Sequence, residues 1–331
     1  MWYSFDRILS YNALINFVMS PRGNGKTYGA KVRGIKRFLK TGEQFMYVRR
    51  TEKQLKSINT FFDDVAQDFP NHKFTVQGRH FYINGKLAGF NYALSTSQNL
   101  KSVPFPNVTT LIFDEFIIDK RVQRYLPNEV EIFLDLVNTV VRSRDNLRVL
   151  LLANNVSRVN PYFTYFKCIP KVNERFTLAH NGNVVVECFE SVEYTEKIQG
   201  TKFGQLISGT RYGDFAINNK SLRDSNTFID KRKPKDSQFV FSVTFNGTEI
   251  GFHLSYDEGL WFVNNEVDKN SKRRYAITKE DHDINLVMYN NLNNFTLFKE
   301  FVRFYREGYV RFKNINIKTS VYDIMAYMNV K

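Results

Sequence analysis

Residues 20–27 read Ser-Pro-Arg-Gly-Asn-Gly-Lys-Thr, a phosphate-binding loop of the G-x-x-x-x-G-K-[ST] type with serine in place of the first glycine. In such a loop the backbone N–H groups of residues 23–27 wrap phosphate oxygens at a helix N-terminus. Lys26 would neutralise the outer phosphates and Thr27 would ligate Mg²⁺. Arg22, Gly23, Asn24, Gly25, Lys26, Thr27 and Tyr28 are the candidate nucleotide-binding residues. Ser20 stands at a strand exit, where a negative φ lets serine replace glycine. Ser20→Gly is therefore expected to be nearly silent. Arg22, an extra cation in the loop, is expected to matter more.

A second group follows 88 residues after Lys26, where the apolar run VTTLIF ends in Asp114-Glu115. Asp114 would hold Mg²⁺ and Glu115 would act as general base on the attacking water. An ordinary surface acidic pair at a strand end is the other reading. The loop and the carboxylates together specify an ATP-hydrolysing site. A third strand, LRVLLLANN (147–155), ends in Asn154-Asn155. Asn154 is placed either to meet the γ-phosphate or attacking water, or to cap the following turn. Arg142 and Arg144 in VVRSR (140–144) close a helix. They either complement its C-terminal dipole or stabilise a transferring phosphoryl group in a neighbouring subunit.

These groups need a scaffold that delivers them to one edge. LINFVM (14–19) reads as a buried strand, and residues 27–41 as a helix closed by Gly42. EQFMYVRR (43–50) is a second strand, and residues 51–69 an amphipathic helix opened by Thr51. Residues 72–95 carry Asn84-Gly85, the strongest short hairpin signal, so they form an antiparallel insertion. Ser95–Pro106 reads as a loop. Residues 127–144 form a helix with Pro127 near its start. Near-continuous apolar strands alternating with helices argue for a parallel sheet covered on both faces.

After residue 188 the pattern changes. Residues 188–217 read as a polar connector. QFVFSVTF, TEIGFHLS and LWFVNN follow as an antiparallel meander, turned at Asn246-Gly247 and at Asp257-Glu258-Gly259. Residues 285–308 and the stretch around 321–329 read as helices. The expected division is 1–187, a linker over 188–217, and a small α+β domain over 218–331.

The chain has 331 residues, a formal charge of +14 and 15% aromatic residues. The excess is concentrated at net +11 in 1–187 against net +4 in 218–331. Such a charge points to a polyanionic partner. Cys168 and Cys188 make no disulfide framework, and five scattered histidines give no metal-ligand spacing. With no signal design and no run of 18 apolar residues, a reducing intracellular compartment and no membrane are expected.

SPRGNGKTY, FMYVRR, PNVTTLIFDEF, the arginine pair and LLLANNVSRVNPYF follow one another in the order seen in a known group. The sequence resembles the DNA-packaging ATPases of small podoviruses (the Picovirinae type). The likeness spans nearly the whole chain and is strongest in residues 1–170. It implies an α/β P-loop ATPase domain of the additional-strand, catalytic-glutamate class, related to large terminases and ring translocases. That domain has a mainly parallel sheet with helices on both faces. The resemblance also implies an RNase H-like C-terminal domain that is a vestigial nuclease, binding DNA or the portal.

By the same resemblance the protein is a homo-oligomeric ring, pentameric in the family, acting in the host cytoplasm. It docks on the prohead portal, directly or through an RNA adaptor, and drives double-stranded DNA into the capsid. Carried over by position, Lys26, Thr27, Asp114 and Glu115 hold and hydrolyse ATP, Arg142 acts in trans and Asn154 is a sensor. Two departures are Ser20, where the family has glycine, and Glu52, where it places a lysine. In the second domain the first strand offers Ser242 and Thr244 where a two-metal nuclease needs a carboxylate, so no DNA cleavage is expected.

Basic runs at Lys231, Arg232, Lys233 and Lys235, and at Lys272, Arg273 and Arg274, are either phosphate or portal contacts or solvated loops. Lys56, Lys101 and Arg124 are candidate DNA grips. Two other functions fit the same motifs: a cellular ring translocase or helicase, and a nucleotide-gated nucleic-acid-binding module. The second has no use for Glu115.

Overall fold

The computed structural model describes residues 3–118, 125–154, 160–170, 174–210, 227–245, 247–289, 294–328 and 330. Arg124, Asn155 and Asn246, singled out above, lie outside the described residues. The chain divides into two compact units, Met1–Leu222 and Arg223–Lys331.

The first unit is built on a nine-stranded sheet. The strands are β1 (Ile15–Ser20), β2 (Gln44–Arg49), β3 (Phe74–Gln77), β4 (His80–Ile83), β5 (Lys86–Ala93), β6 (Val108–Asp114), β7 (Arg148–Asn154), β8 (Phe176–Ala179) and β9 (Val184–Cys188). Their order is β3-β4-β5-β2-β6-β7-β1-β9-β8. The strands from β5 to β9 in that order pair in parallel, and β3, β4 and β8 are antiparallel additions. Strand β7 lies between β1 and β6. The phosphate loop after β1 and the carboxylates closing β6 therefore emerge two strands apart, at the same C-terminal edge.

The central strands are buried on both sides, as near-continuous apolar runs require. Phe17, Leu111, Phe113, Val149 and Leu151 feed one core, and Val18, Ile112, Leu150 and Leu152 the other. After the short α1 (Asp6–Leu9), helix α2 (Lys26–Thr41) covers the second face with Ala30 and Ile35. Helix α3 (Glu129–Val141) covers the first with Val130, Phe133 and Val137. Gly42 ends α2 at φ 75°, its N–H on the Phe38 carbonyl at 2.8 Å. The hairpin between β4 and β5 turns at Asn84 (φ 51°) and Gly85 (φ 76°), the left-handed pair its sequence asks for.

Residues 51–69 depart from expectation. They form three short 3₁₀ turns, Glu52–Leu55, Ile58–Thr60 and Ala66–Asp68, in place of one helix. Thr51 and Gln54 do make the capping box. The Phe61 carbonyl, however, accepts from Lys31 Nζ at 2.8 Å, and Val65 N–H goes to Phe62 instead. An α-helix would need the Phe61 carbonyl for Val65. The expected loop Ser95–Pro106 opens instead in a 3₁₀ segment, Leu94–Leu100.

In the second unit β10 (Gln238–Phe245), β11 (Thr248–Ser255) and β12 (Leu260–Asn264) form the expected antiparallel meander. β13 (Arg274–Ala276), β14 (Val287–Met288) and β15 (Val310–Phe312) extend it in the order β14-β13-β10-β11-β12-β15. A meander with parallel strands added beside its first strand is the sheet of an RNase H-like unit. Among the described residues of the stretch 285–308, Thr296–Arg306 is α-helical, while Val287–Met288 pairs with β13. The last helix spans Ile315–Tyr327.

Candidate functional site

The phosphate loop owes its shape to two glycines in the left-handed region, Gly23 at φ 85° and Gly25 at φ 81°. These turns aim successive N–H groups at the mouth of α2. Ser20, as the last residue of β1, keeps ordinary strand backbone. Asn24 is braced from both sides: its Nδ2 donates to the Pro21 carbonyl at 3.2 Å, and its own carbonyl accepts from Tyr3 N–H at 3.0 Å.

A cavity of about 380 Å³ opens over the loop, lined by Arg22, Gly23, Gly25, Lys26, Thr27, Tyr28, Asp114, Glu115, Ala153 and Asn154. Every candidate nucleotide, metal and base residue lines it except Asn24, which is buried beneath. Asn154 joins because β7 lies beside β1 with Ser20 opposite Asn154. Its Oδ1 accepts from Lys26 Nζ at 3.3 Å. Burial holds the Lys26 ammonium down at about 8, with the Asp114 charge opposing. Tyr28 faces the cavity from α2 with its hydroxyl donating to Asp68. Arg22 is exposed at the rim and makes no hydrogen bond or ion pair among the described residues.

Asp114 and Glu115 behave differently. Asp114 is 10% exposed, and its carboxylate accepts from Thr27 Oγ1 at 3.2 Å, Tyr47 hydroxyl at 2.9 Å and Arg49 Nη1 at 3.3 Å. Glu115 is 43% exposed, sits at φ 60°, and receives Arg49 Nη2 at 2.5 Å. A non-glycine residue held in the left-handed region marks a constrained position. The constraint here is Arg50, whose guanidinium donates to the carbonyls of Glu115 (3.0 Å) and Phe116 (2.7 Å) and pairs with buried Glu129 at 2.7 Å. Tyr162, on the short helix α4 (Pro161–Tyr165), completes the cluster, its hydroxyl donating to Glu129 at 2.8 Å.

Tyr47, Arg49, Arg50, Glu129 and Tyr162 were not assigned roles from sequence. Their roles come from strand pairing: β2 pairs with β6, Val48 opposite Phe113, so the end of YVRR meets the end of IFDE. Arg142 and Arg144 lie at the far end of α3, beside residues 103–108 that precede and open β6, away from the phosphate loop. Neither joins the site within its own subunit. Arg144 donates to the carbonyls of Phe105, Pro106, Val108 and Val140. Arg142 is exposed, with one 3.4 Å bond to the Val103 carbonyl. Glu52 is bound by Arg79 at 2.6 Å and by Thr96 at 2.6 Å. Of the candidate grips, Lys56 is exposed and Lys101 pairs with Asp135 at 3.3 Å.

A further contact comes from α5 (Val192–Gln199), which follows β9. A Cβ on Gly23 would stand 1.8 Å from the Tyr194 phenol oxygen. Gly23→Ala therefore combines left-handed strain, about 1–2 kcal/mol, with displacement of Tyr194. ATP affinity is expected to fall about tenfold or more, read by titration with a fluorescent ATP analogue. Unchanged affinity would show that the loop does not need this conformation.

In the second unit Glu249 of β11 accepts from Ser242 at 2.7 Å, Arg274 at 2.8 Å and Lys269 at 2.5 Å. Burial alone would push its carboxyl up, but these bonds outweigh it and hold the carboxyl down at about 2. Among the described residues no cluster of three His, Cys, Asp or Glu could hold a metal, and no helix is long and apolar enough to cross a membrane. Cys168 is buried and Cys188 half-buried, and neither forms a disulfide among the described residues.

A sequence profile for "Podovirus DNA encapsidation protein (Gp16)" matches residues 1–330. The DNA packaging protein of Bacillus phage PZA is 41% identical over 331 residues, covering 100% of this chain and 99% of that one. The one from Bacillus phage B103 is 41% identical, covering 98% and 100%. Among solved structures, the bacteriophage Phi-29 genome packaging motor assembly aligns at 40% identity over 99% of both chains, with a TM-score of 0.79. The N-terminal domain of the phi29 DNA packaging ATPase aligns at 47% identity over 58% of this chain, with a TM-score of 0.55. With its sheet order, its phosphate loop and these full-length likenesses, the chain belongs to the podovirus DNA encapsidation protein family.

Proposed function

We propose that this chain is an ATP-driven motor that moves double-stranded DNA into a viral prohead. The observation that carries the reading is the convergence of Lys26, Thr27, Asp114, Glu115 and Asn154 on one cavity at the sheet edge. Residues 23–27 bind the phosphates through N–H groups and Lys26. Thr27 and Asp114, 3.2 Å apart, are the pair that would hold Mg²⁺. That ion supplies charge neutralisation on the transferred phosphoryl group. Glu115, directed by Arg49, takes the proton of the attacking water, and Asn154 orients Lys26 and the γ-phosphate end.

The subunits act as a ring, five by family likeness, with ATP between neighbours. Arg142 is the arginine offered in trans: it is exposed, whereas Arg144 is engaged by four carbonyls of its own subunit. The net charge of +14 suits contacts to backbone phosphate, sequence-independent and salt-sensitive. Residues 1–187 form the motor, 188–217 the linker, and 218–331 a domain that contacts DNA or the portal. The motor docks on the portal directly or through an RNA adaptor, in the host cytoplasm. No DNA cleavage is expected, because Glu249 is neutralised by Arg274 and Lys269 where a nuclease would need free carboxylates.

The test is ATP turnover and nuclease protection of added double-stranded DNA, with portal-bearing proheads present. DNA-stimulated turnover and protected DNA are expected. Turnover indifferent to DNA, with no DNA protected, would defeat the motor reading. Nicking of supercoiled DNA in Mn²⁺ that tracks with the second unit would defeat the reading of that unit.

A further inference from the structure

We propose that Ser20 is a positioning residue that tethers Lys26 to the end of β1 in competition with phosphate, and so sets how tightly the nucleotide is held. The inference rests on the reading of the loop as a nucleotide site. Lys26 Nζ has three protons and four oxygens in reach: Ser20 Oγ at 2.8 Å, Ser20 O at 3.1 Å, Pro21 O at 3.1 Å and Asn154 Oδ1 at 3.3 Å. The two carbonyls would be there whatever residue stood at position 20. The shortest bond is the one that the serine side chain adds.

Its direction is fixed as well. Ser20 is fully buried, and its hydroxyl donates to the Pro21 carbonyl at 3.0 Å. The proton is thus committed, and a lone pair faces the ammonium. Bonds from a charged donor are stronger than neutral ones, and this one lies where solvent does not compete. To reach phosphate oxygens Lys26 must exchange part of this set. A hydroxyl that adds to the tether lowers nucleotide affinity relative to a residue without one. Ser20→Gly is then not the silent change that the motif alone suggests.

The experiment measures ATP and ADP dissociation constants and kcat for the full chain, for Ser20→Ala and Ser20→Gly, and for each change combined with Lys26→Ala. Both single variants are expected to bind ATP and ADP about three- to tenfold more tightly, the span of one net hydrogen bond. Adenosine, which has no phosphate, should bind equally to parent and variants. In the Lys26→Ala background the gain should vanish, as coupling through Lys26 requires. If the parent itself fails to bind ATP, the nucleotide-site reading falls. If it binds and both Ser20 variants match it or bind more weakly, or if the gain survives without Lys26, the tether is overturned and the site reading stands.

Discussion

Glu115→Gln is expected to bind ATP like the parent and to hydrolyse it about 10²–10⁴ times more slowly, the usual worth of a general base. The amide keeps the size and hydrogen-bonding reach of the carboxylate but has no basic oxygen. Binding should survive because Glu115 is not among the groups that wrap phosphate; those are the loop N–H groups and Lys26. Asp114 is no substitute base. Its oxygens are already shared among Thr27, Tyr47 and Arg49, and it is largely buried, whereas Glu115 is exposed to the cavity. The measurement is single-turnover hydrolysis beside equilibrium nucleotide binding. Turnover within a few-fold of the parent would remove Glu115 from the chemistry. Lost binding with lost turnover would instead make it a folding or binding residue.

Much of this site was legible in the sequence, for a physical reason. The loop, the acidic strand end and the asparagine strand end are each local features, and parallel strands with short connections place their C-terminal ends on one edge. A mainly parallel sheet needed no more than alternating apolar runs and helices; the order of its strands was not among those expectations. What stayed hidden depends on pairing between distant strands. Tyr47 and Arg49 matter only because β2 lies beside β6, and Arg50 only because Glu129 reaches it from α3, itself held by Tyr162 of the helix Pro161–Tyr165. Residues 51–69 also meet a distant partner: their pattern is amphipathic, but they form short 3₁₀ turns, and the Phe61 carbonyl accepts from Lys31 of α2. Ser20 looked like a tolerated defect because a motif records backbone demands. Its side-chain bond to Lys26 appears only once the loop has closed over the lysine.

Glu129→Ala is expected to destabilise the first unit by about 3–5 kcal/mol, the cost of leaving a buried charge without its partner. The Arg50 and Glu129 side chains are 2% and 1% exposed, so water does not replace the lost carboxylate. Glu129 also accepts from Tyr162 hydroxyl and from Leu126 N–H, and both donors would be stranded. The damage should spread to the chemistry. Arg50 fixes the carbonyls of Glu115 and Phe116, which hold Glu115 at its positive φ with its carboxylate turned to the cavity. Replacing both partners separates the two roles. Arg50→Met with Glu129→Leu removes both charges, so the part of the loss due to an unpaired buried charge should return, while the donors and carbonyls that lose their partners keep the double variant below the parent. Turnover should not return, because the two carbonyl bonds are gone. Urea midpoints and kcat measured together decide it. A single-variant loss below about 1 kcal/mol would be no more than an exposed ion pair contributes, and the cluster would then not hold the fold. Full turnover in the folded double variant would show that Glu115 keeps its backbone without Arg50.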